Sequence, residues 1–203
     1  TASLVRASAL PVTLVPTGPL TNIALFLRAF PSLQARIGAI SLMGGSLGVG
    51  NTTASAEFNI WQDPEAAAIV FGAGIPLLMA GLDVTHQALV LPADIARLDG
   101  LGTRTGRVFA DLMRFFAIHH RDRYGWDGPP IHDAVAVGVL VAPWLITRRS
   151  MRIDVETGDG LTRGRTVGDE QGISGRPANA EVSVDLEREP FLDLVVDAVA
   201  QFA

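Results

Sequence analysis

The sequence predicts an α/β protein: an open, mostly parallel sheet with helices packed on its faces and a small β-strand region near the C-terminus. Three observations predict it. Over the first 85 residues, short apolar runs rich in β-branched residues alternate with segments of helical character. Each run stops at a Gly- or Pro-containing break, which is the strand–loop–helix rhythm of a parallel sheet. From residue 151 the apolar period changes to two, the pattern of half-buried strands.

The elements follow in order. Residues 12–15 form a first strand, broken by Thr17-Gly18-Pro19. A helix over residues 20–30 has Pro19 near its first position, where the missing N–H costs nothing, and Thr17 is placed to cap it. Residues 37–43 form a second buried strand that ends at Gly44-Gly45. Residues 46–59 are polar and without periodicity; loops of that length in a compact domain often carry function. Asp63 and Pro64 read as N-cap and first residue of the next helix. Residues 75–81 form a third strand. In such sheets, ligands lie beyond the carboxyl ends of the strands.

The middle of the chain is helical. From Thr103, Val108, Leu112, Phe115, Phe116 and His119 share one face, and the two phenylalanines are expected in the core. A Gly- and Pro-rich turn over residues 123–130 precedes a helix from His132 that is apolar on all sides and therefore expected to be buried. Met151, Ile153 and Val155 then alternate with Arg152, Asp154 and Glu156. Residues 161–167 and 180–186 are further strands. Phe191, Leu194, Val195, Ala198, Val199 and Phe202 mark an amphipathic terminal helix. No repeat or linker divides residues 1–203, so a single domain is expected.

Composition narrows the function. Hydrophobic residues make up 48% and charged residues 18%, a globular balance. Net charge is −5, which excludes the basic footprint of a protein that binds polymeric nucleic acid. There is no Cys, which excludes disulfides, thiolate metal sites and a Cys nucleophile. No uninterrupted apolar window spans a bilayer; the longest, residues 134–145, contains Gly138 and Pro143. With no signal peptide visible, the cytosol is the expected location.

Polar residues of chemical interest gather at three strand ends: VPTGPLTN (residues 15–22), LMGGSLGVGNTTASAEFN (42–59) and PPIHDAVAV (129–137). Asn51, Glu57 and Asn59 offer two carboxamides and a carboxylate, donors and acceptors suited to vicinal sugar hydroxyls; solvated loop residues in Asx-turns would look the same. Asp133 opens a buried helix, where the helix dipole favours a carboxylate and where it can either cap the helix or bind a hard cation. His132 beside it is a titratable group that can face a substrate, because successive helical residues point about 100° apart. The Thr17 backbone oxygen can bind a cation such as Ca²⁺, or Thr17 can simply cap. His86, in GLDVTHQ, can reach the same cleft or be structural. A nicotinamide-binding reading of GGSLGVG is weak, because no GxGxxG opens a helix after the first strand.

Taken together, VPTGPLTN, LMGG, GNTTASAEFN, QDPEAA, GLDVTHQ and the HD of PPIHDAVAV closely resemble the inosine-uridine-preferring nucleoside hydrolase family, in that family's order and spacing. The resemblance runs from about Val12 to the terminal helix. AEFN with DPEAA is its specific part. It implies an open α/β sheet with a Rossmann-like core and a Ca²⁺ at the cleft floor that binds the ribose 2′ and 3′ hydroxyls and the attacking water. By match, the Thr17 backbone oxygen and the Asp133 carboxylate would bind the metal. Asn51, Glu57 and Asn59 would hold ribose, with Met43 packed against the sugar and His86 near the substrate. His132 would give a proton to the departing base. The partner implied is a small nucleoside, and homo-oligomers are common in the family.

One departure stands out. The family's N-terminal strand ends in an Asp cluster, DxDxxxDD, which supplies most calcium carboxylates and the general base. This sequence has no such motif. The chain is therefore read as a partial domain, and alone it is expected to bind calcium poorly and turn over nucleosides slowly or not at all. A binding or scaffold role without catalysis is the alternative.

Overall fold

The computed structural model describes residues 1–202. Its six-stranded sheet contains β1 (Val12–Leu14), β2 (Ile37–Met43), β3 (Leu77–Ala80), β4 (Ile146–Val155), β5 (Thr166–Asp169) and β6 (Ala180–Leu186), in the spatial order β1-β2-β3-β6-β4-β5. The first four in that order run parallel. Strand β4 is antiparallel to both β6 and β5, which forms the small C-terminal β region. The sequence expectation of an open, mostly parallel α/β sheet holds.

Nine α-helices are present among the described residues: α1 (Ala2–Ala7), α2 (Thr21–Ala29), α3 (Phe58–Gln62), α4 (Pro64–Phe71), α5 (Leu82–Thr85), α6 (Pro92–Gly100), α7 (Arg104–Tyr124), α8 (His132–Val141) and α9 (Arg188–Ala200). Alternation along a strand sends neighbouring side chains to opposite faces. Leu42 and Met79 join one apolar cluster, with residues of α2 and α4. Met43 and Ala80 join the other, with Val135 and Val139 of α8 and Phe191 and Leu192 of α9. Gly138 lets α8 and α9 meet closely: a Cβ there would lie 2.6 Å from the Phe191 ring. The Ser41 hydroxyl donates to the Ala136 carbonyl at 2.6 Å and fixes α8 on β2. None of the described helices is long and apolar enough to cross a membrane.

Several expectations are corrected. Helix α2 starts at Thr21 with Leu20 at its N-cap, and the Thr17 side chain caps nothing. Residues 161–165 form a turn, and the strand begins at Thr166, because Gly160 and Gly164 frame a tight loop hydrogen-bonded back to Glu156. On α7 the face carrying Val108, Leu112, Phe115 and Phe116 points outward: Phe115 is 70% exposed and Phe116 50%. The buried face holds the small Gly106, Ala110 and Ala117, together with His120. The uniformly apolar α8 is buried on one side only; Val137 and Val141 face an open apolar groove shared with α7 and α9.

Candidate active site

The carboxyl ends of β2 and β3 lie level, with Met43 opposite Ala80, while β1 ends opposite Ile40. The Met43 N–H donates to the Pro16 carbonyl at 3.0 Å, which holds the segment before Thr17 against the end of β2. Thr17 itself is exposed. Three segments therefore converge: residues 16–18 after β1, the loop from Gly44 after β2, and α5 after β3.

Backbone and side-chain hydrogen bonds build the loop from Gly44 to α3. Gly45 has φ +79, and a Cβ there would lie 2.7 Å from Met79 Cε and 2.9 Å from Thr166 Oγ1, so only glycine fits. Thr166 Oγ1 accepts from the Ser46 N–H at 2.8 Å and donates to the Ser46 carbonyl at 2.6 Å. The Asp83 carboxylate accepts from the Leu47 and Gly48 N–H groups at 2.8 and 3.2 Å.

Glu57 is the N-cap of α3 and is buried. Its carboxylate accepts from the N–H groups of Gly45 and Asn59, both at 2.9 Å, and of Ile60 at 3.1 Å. Burial raises its pKa against the lowering effect of these three bonds, and the nearby charge of Asp133 adds to the rise. Asn59 is buried and donates from Nδ2 to the Met43 carbonyl at 3.1 Å and towards Met43 Sδ at 3.4 Å. Its Oδ1 has no donor among the described residues. Asn51 Oδ1 accepts from the Phe58 N–H at 2.9 Å, which leaves its Nδ2 group to donate. The loop thus presents one free carboxamide acceptor, one free carboxamide donor and a carboxylate with spare lone pairs.

Opposite stand His132 and Asp133, the first two residues of α8. The segment before them is pinned by Val90 N–H to Pro129 carbonyl at 2.9 Å and Ile131 N–H to Ala88 carbonyl at 3.0 Å. His132 Nδ1 lies 2.7 Å from the buried Thr85 hydroxyl. Burial pushes the His132 pKa down to about 4, with smaller contributions from the His86 and His120 charges. The ring is therefore neutral at pH 7. Burial also lowers His86, against the pull of Asp83. Asp133 accepts no hydrogen bond from the described residues, and partial desolvation raises its pKa.

Aromatic rings wall the cleft. The His86 ring meets Trp126 edge-on at 4.8 Å and His132 at 5.6 Å. Trp126 stacks on Tyr124 at 4.7 Å and on His120 at 5.9 Å. Gly125, at φ +69, ends α7 and turns the chain so that Trp126 folds back on these rings. With Asn51, Phe58 and Phe116, these residues line a cleft of about 320 Å³. The structure thus places Asn51, His86 and His132 directly on the cleft, with Glu57, Asn59 and Met43 in the hydrogen-bonded floor behind. Sequence reasoning missed Thr166 and the clamp role of Asp83; Trp126 was visible only as part of the Gly- and Pro-rich turn over residues 123–130.

The described residues do not by themselves form a calcium site. No three His, Cys, Asp or Glu side chains among them converge to hold a metal ion. Asp133 supplies one carboxylate, where a calcium ion takes about six to eight oxygens.

A sheet whose strand ends carry a loop with free carboxamide and carboxylate groups on one side, and a histidine within aromatic walls on the other, defines an α/β protein with a polar and aromatic cleft beyond its strands. The chain belongs to the inosine-uridine preferring nucleoside hydrolase family, whose model matches residues 1–193. It is 48% identical over 202 residues to a pyrimidine-specific ribonucleoside hydrolase RihA of Shewanella sp. (strain ANA-3), covering 99% of this chain and 64% of that relative. A RihA of Klebsiella pneumoniae (strain 342) is 44% identical, covering 100% and 65%. A solved purine-preferring ribonucleoside hydrolase from Gardnerella vaginalis superposes with a TM-score of 0.88 at 36% identity, covering 99% of this chain and 65% of that one. The chain thus spans a little under two thirds of the length of these relatives.

Proposed function

We propose that this chain carries the nucleobase-facing side and the ribose loop of a ribonucleoside hydrolase, which cleaves the N-glycosidic bond to give ribose and free base. The observation that supports it most is the pairing of the Asn51–Glu57–Asn59 loop with the His132 edge of an aromatic cleft, in a chain of this family. Breaking the bond develops oxocarbenium character on ribose and negative charge on the leaving base. Glu57 and Asp133 place carboxylate charge beside the sugar, which favours the cation. Asn51 Nδ2 and Asn59 Oδ1 take the hydroxyls, with Met43 against the sugar. The rings of His86 and Trp126 flank the flat base. His132 faces the base; neutral at pH 7, it hydrogen-bonds the departing nitrogen or oxygen, whose growing charge draws the proton toward it.

In this reading the Asp133 carboxylate and the Thr17 carbonyl would help to hold a calcium ion, which would orient and activate the attacking water. Pyrimidine ribonucleosides are the first substrates to try, because the relatives at 44–48% identity are named pyrimidine-specific. The second reading, a nucleoside-binding protein without turnover, is favoured by the lack of a convergent metal-binding group among the described residues.

The test is ribose release from a panel of purine and pyrimidine nucleosides, with calcium and with chelator. Calcium-dependent release that is lost in both His132→Gln and Asp133→Asn supports hydrolysis. Binding of nucleosides without release, by calorimetry on the folded chain, selects the second reading. Neither binding nor release would sink both.

A further inference from the structure

Thr85 closes α5 just beyond the carboxyl end of β3 and is fully buried. Its Oγ1 lies 2.7 Å from His132 Nδ1, and among the described residues that ring nitrogen is its only side-chain or backbone partner. A buried hydroxyl proton without an acceptor is unfavourable, and Nδ1 is the one acceptor within reach. The hydroxyl therefore donates, Nδ1 carries the lone pair, and the neutral ring bears its proton on Nε2. No described residue hydrogen-bonds Nε2, which leaves that N–H to the cleft lined by His86 and Trp126.

We propose that Thr85 is a positioning residue: its buried hydroxyl fixes His132 as the Nε2–H tautomer and aims that N–H as a donor at an acceptor atom, a ring nitrogen or carbonyl oxygen, of the bound nucleobase. This rests on the reading that His132 meets the base. The opposite tautomer would turn a lone pair toward the same atoms and repel them. The local fold suits the task. Helix α5 is short, capped by the His86 N–H donating to the Leu82 carbonyl, and packs directly on α8. Thr85 and His132 thus belong to two elements fixed on the same sheet, and the hydroxyl–imidazole distance is set by packing and not by a mobile loop.

The test reads the proton directly. Long-range ¹H–¹⁵N correlation on the full chain with labelled histidine, near pH 8 and without substrate, should show a single His132 form, protonated at Nε2. A His132 ring protonated at Nδ1 in the wild-type chain would overturn the proposal, whether or not any variant folds. Thr85→Val keeps the shape and removes the donor; its His132 signals should move to a tautomer mixture, and Thr85→Ser should restore the single form. Signals unchanged in the valine variant would equally overturn it. On any nucleoside that the chain hydrolyses, Thr85→Val should lower kcat about tenfold or more while KM changes little, with recovery in Thr85→Ser. Absence of turnover in the wild type would count against the hydrolase reading and leave the tautomer result standing by itself.

Discussion

His132 is neutral in the fold for a reason that has a consequence for stability. Its folded pKa is about 4, against 6.5 for an ordinary histidine. Between those values the unfolded chain binds the proton that the folded chain refuses. Stability is therefore full above pH 6.5 and falls as pH drops toward 4. The whole shift corresponds to roughly 3 kcal/mol. Urea midpoints at pH 7 and pH 4.5 should differ more for the wild type than for His132→Gln; equal falls would mean that proton uptake occurs elsewhere, His86 included. Glu57 gives a second prediction. It satisfies three backbone N–H groups from a buried position. Glu57→Ala should destabilise by about 2–4 kcal/mol, because it orphans three buried donors, whereas Glu57→Gln retains acceptor capacity and should cost about half as much. If alanine and glutamine cost the same in urea titration, the carboxylate is not what holds the loop.

At the scale of elements, the sequence was most legible where one physical signal dominated. Strand β2 matches the expected residues because a mostly apolar run ends at Gly44-Gly45, where Gly45 at φ +79 leaves the extended conformation. The Asp63-Pro64 start of α4 is a local capping rule, and the Asp63 carboxylate does accept from the Ala66 N–H at 3.0 Å. Helix α7 was legible in extent but not in orientation. Its aromatic face is the exposed one, since tight packing against α6 selects Gly106 and Ala110, and the larger side chains have no room there. The strand expected over 161–167 was shifted because Gly164, at φ +80, lies against Trp61 and must stay in the turn. Within the site, Asn51, Glu57, Asn59, His86 and His132 were named from chemistry and family resemblance, while Thr166 gave no signal, since its partner Ser46 is 120 residues away. The Gly45 turn yields a prediction at this scale. Gly45→Ala imposes both a left-handed backbone and a clash with Met79 and Thr166, and should cost about 2–4 kcal/mol in a chemical melt. A cost below about 1 kcal/mol would mean that the loop relaxes freely.

For the whole molecule, the two apolar clusters lie on opposite faces of one sheet and share its strands. Neither can melt without removing the surface on which the other rests, so unfolding should be a single transition. Far-ultraviolet circular dichroism and tryptophan fluorescence should give coincident urea curves, because Trp61 in α3 and Trp126 in the cleft wall report the fold while Trp144 is already exposed. Curves that separate would show the cleft side melting by itself.

The clasp between Ser46 and Thr166 also bears on how the protein is made. Ribosomes add about 5–20 residues per second, so the 120 residues between the two emerge over roughly 6–24 s. Throughout that interval the Gly45 turn lacks its lock, and β3 lacks its parallel neighbour β6. A growing chain can therefore hold its first strands and helices long before it owns a finished pocket.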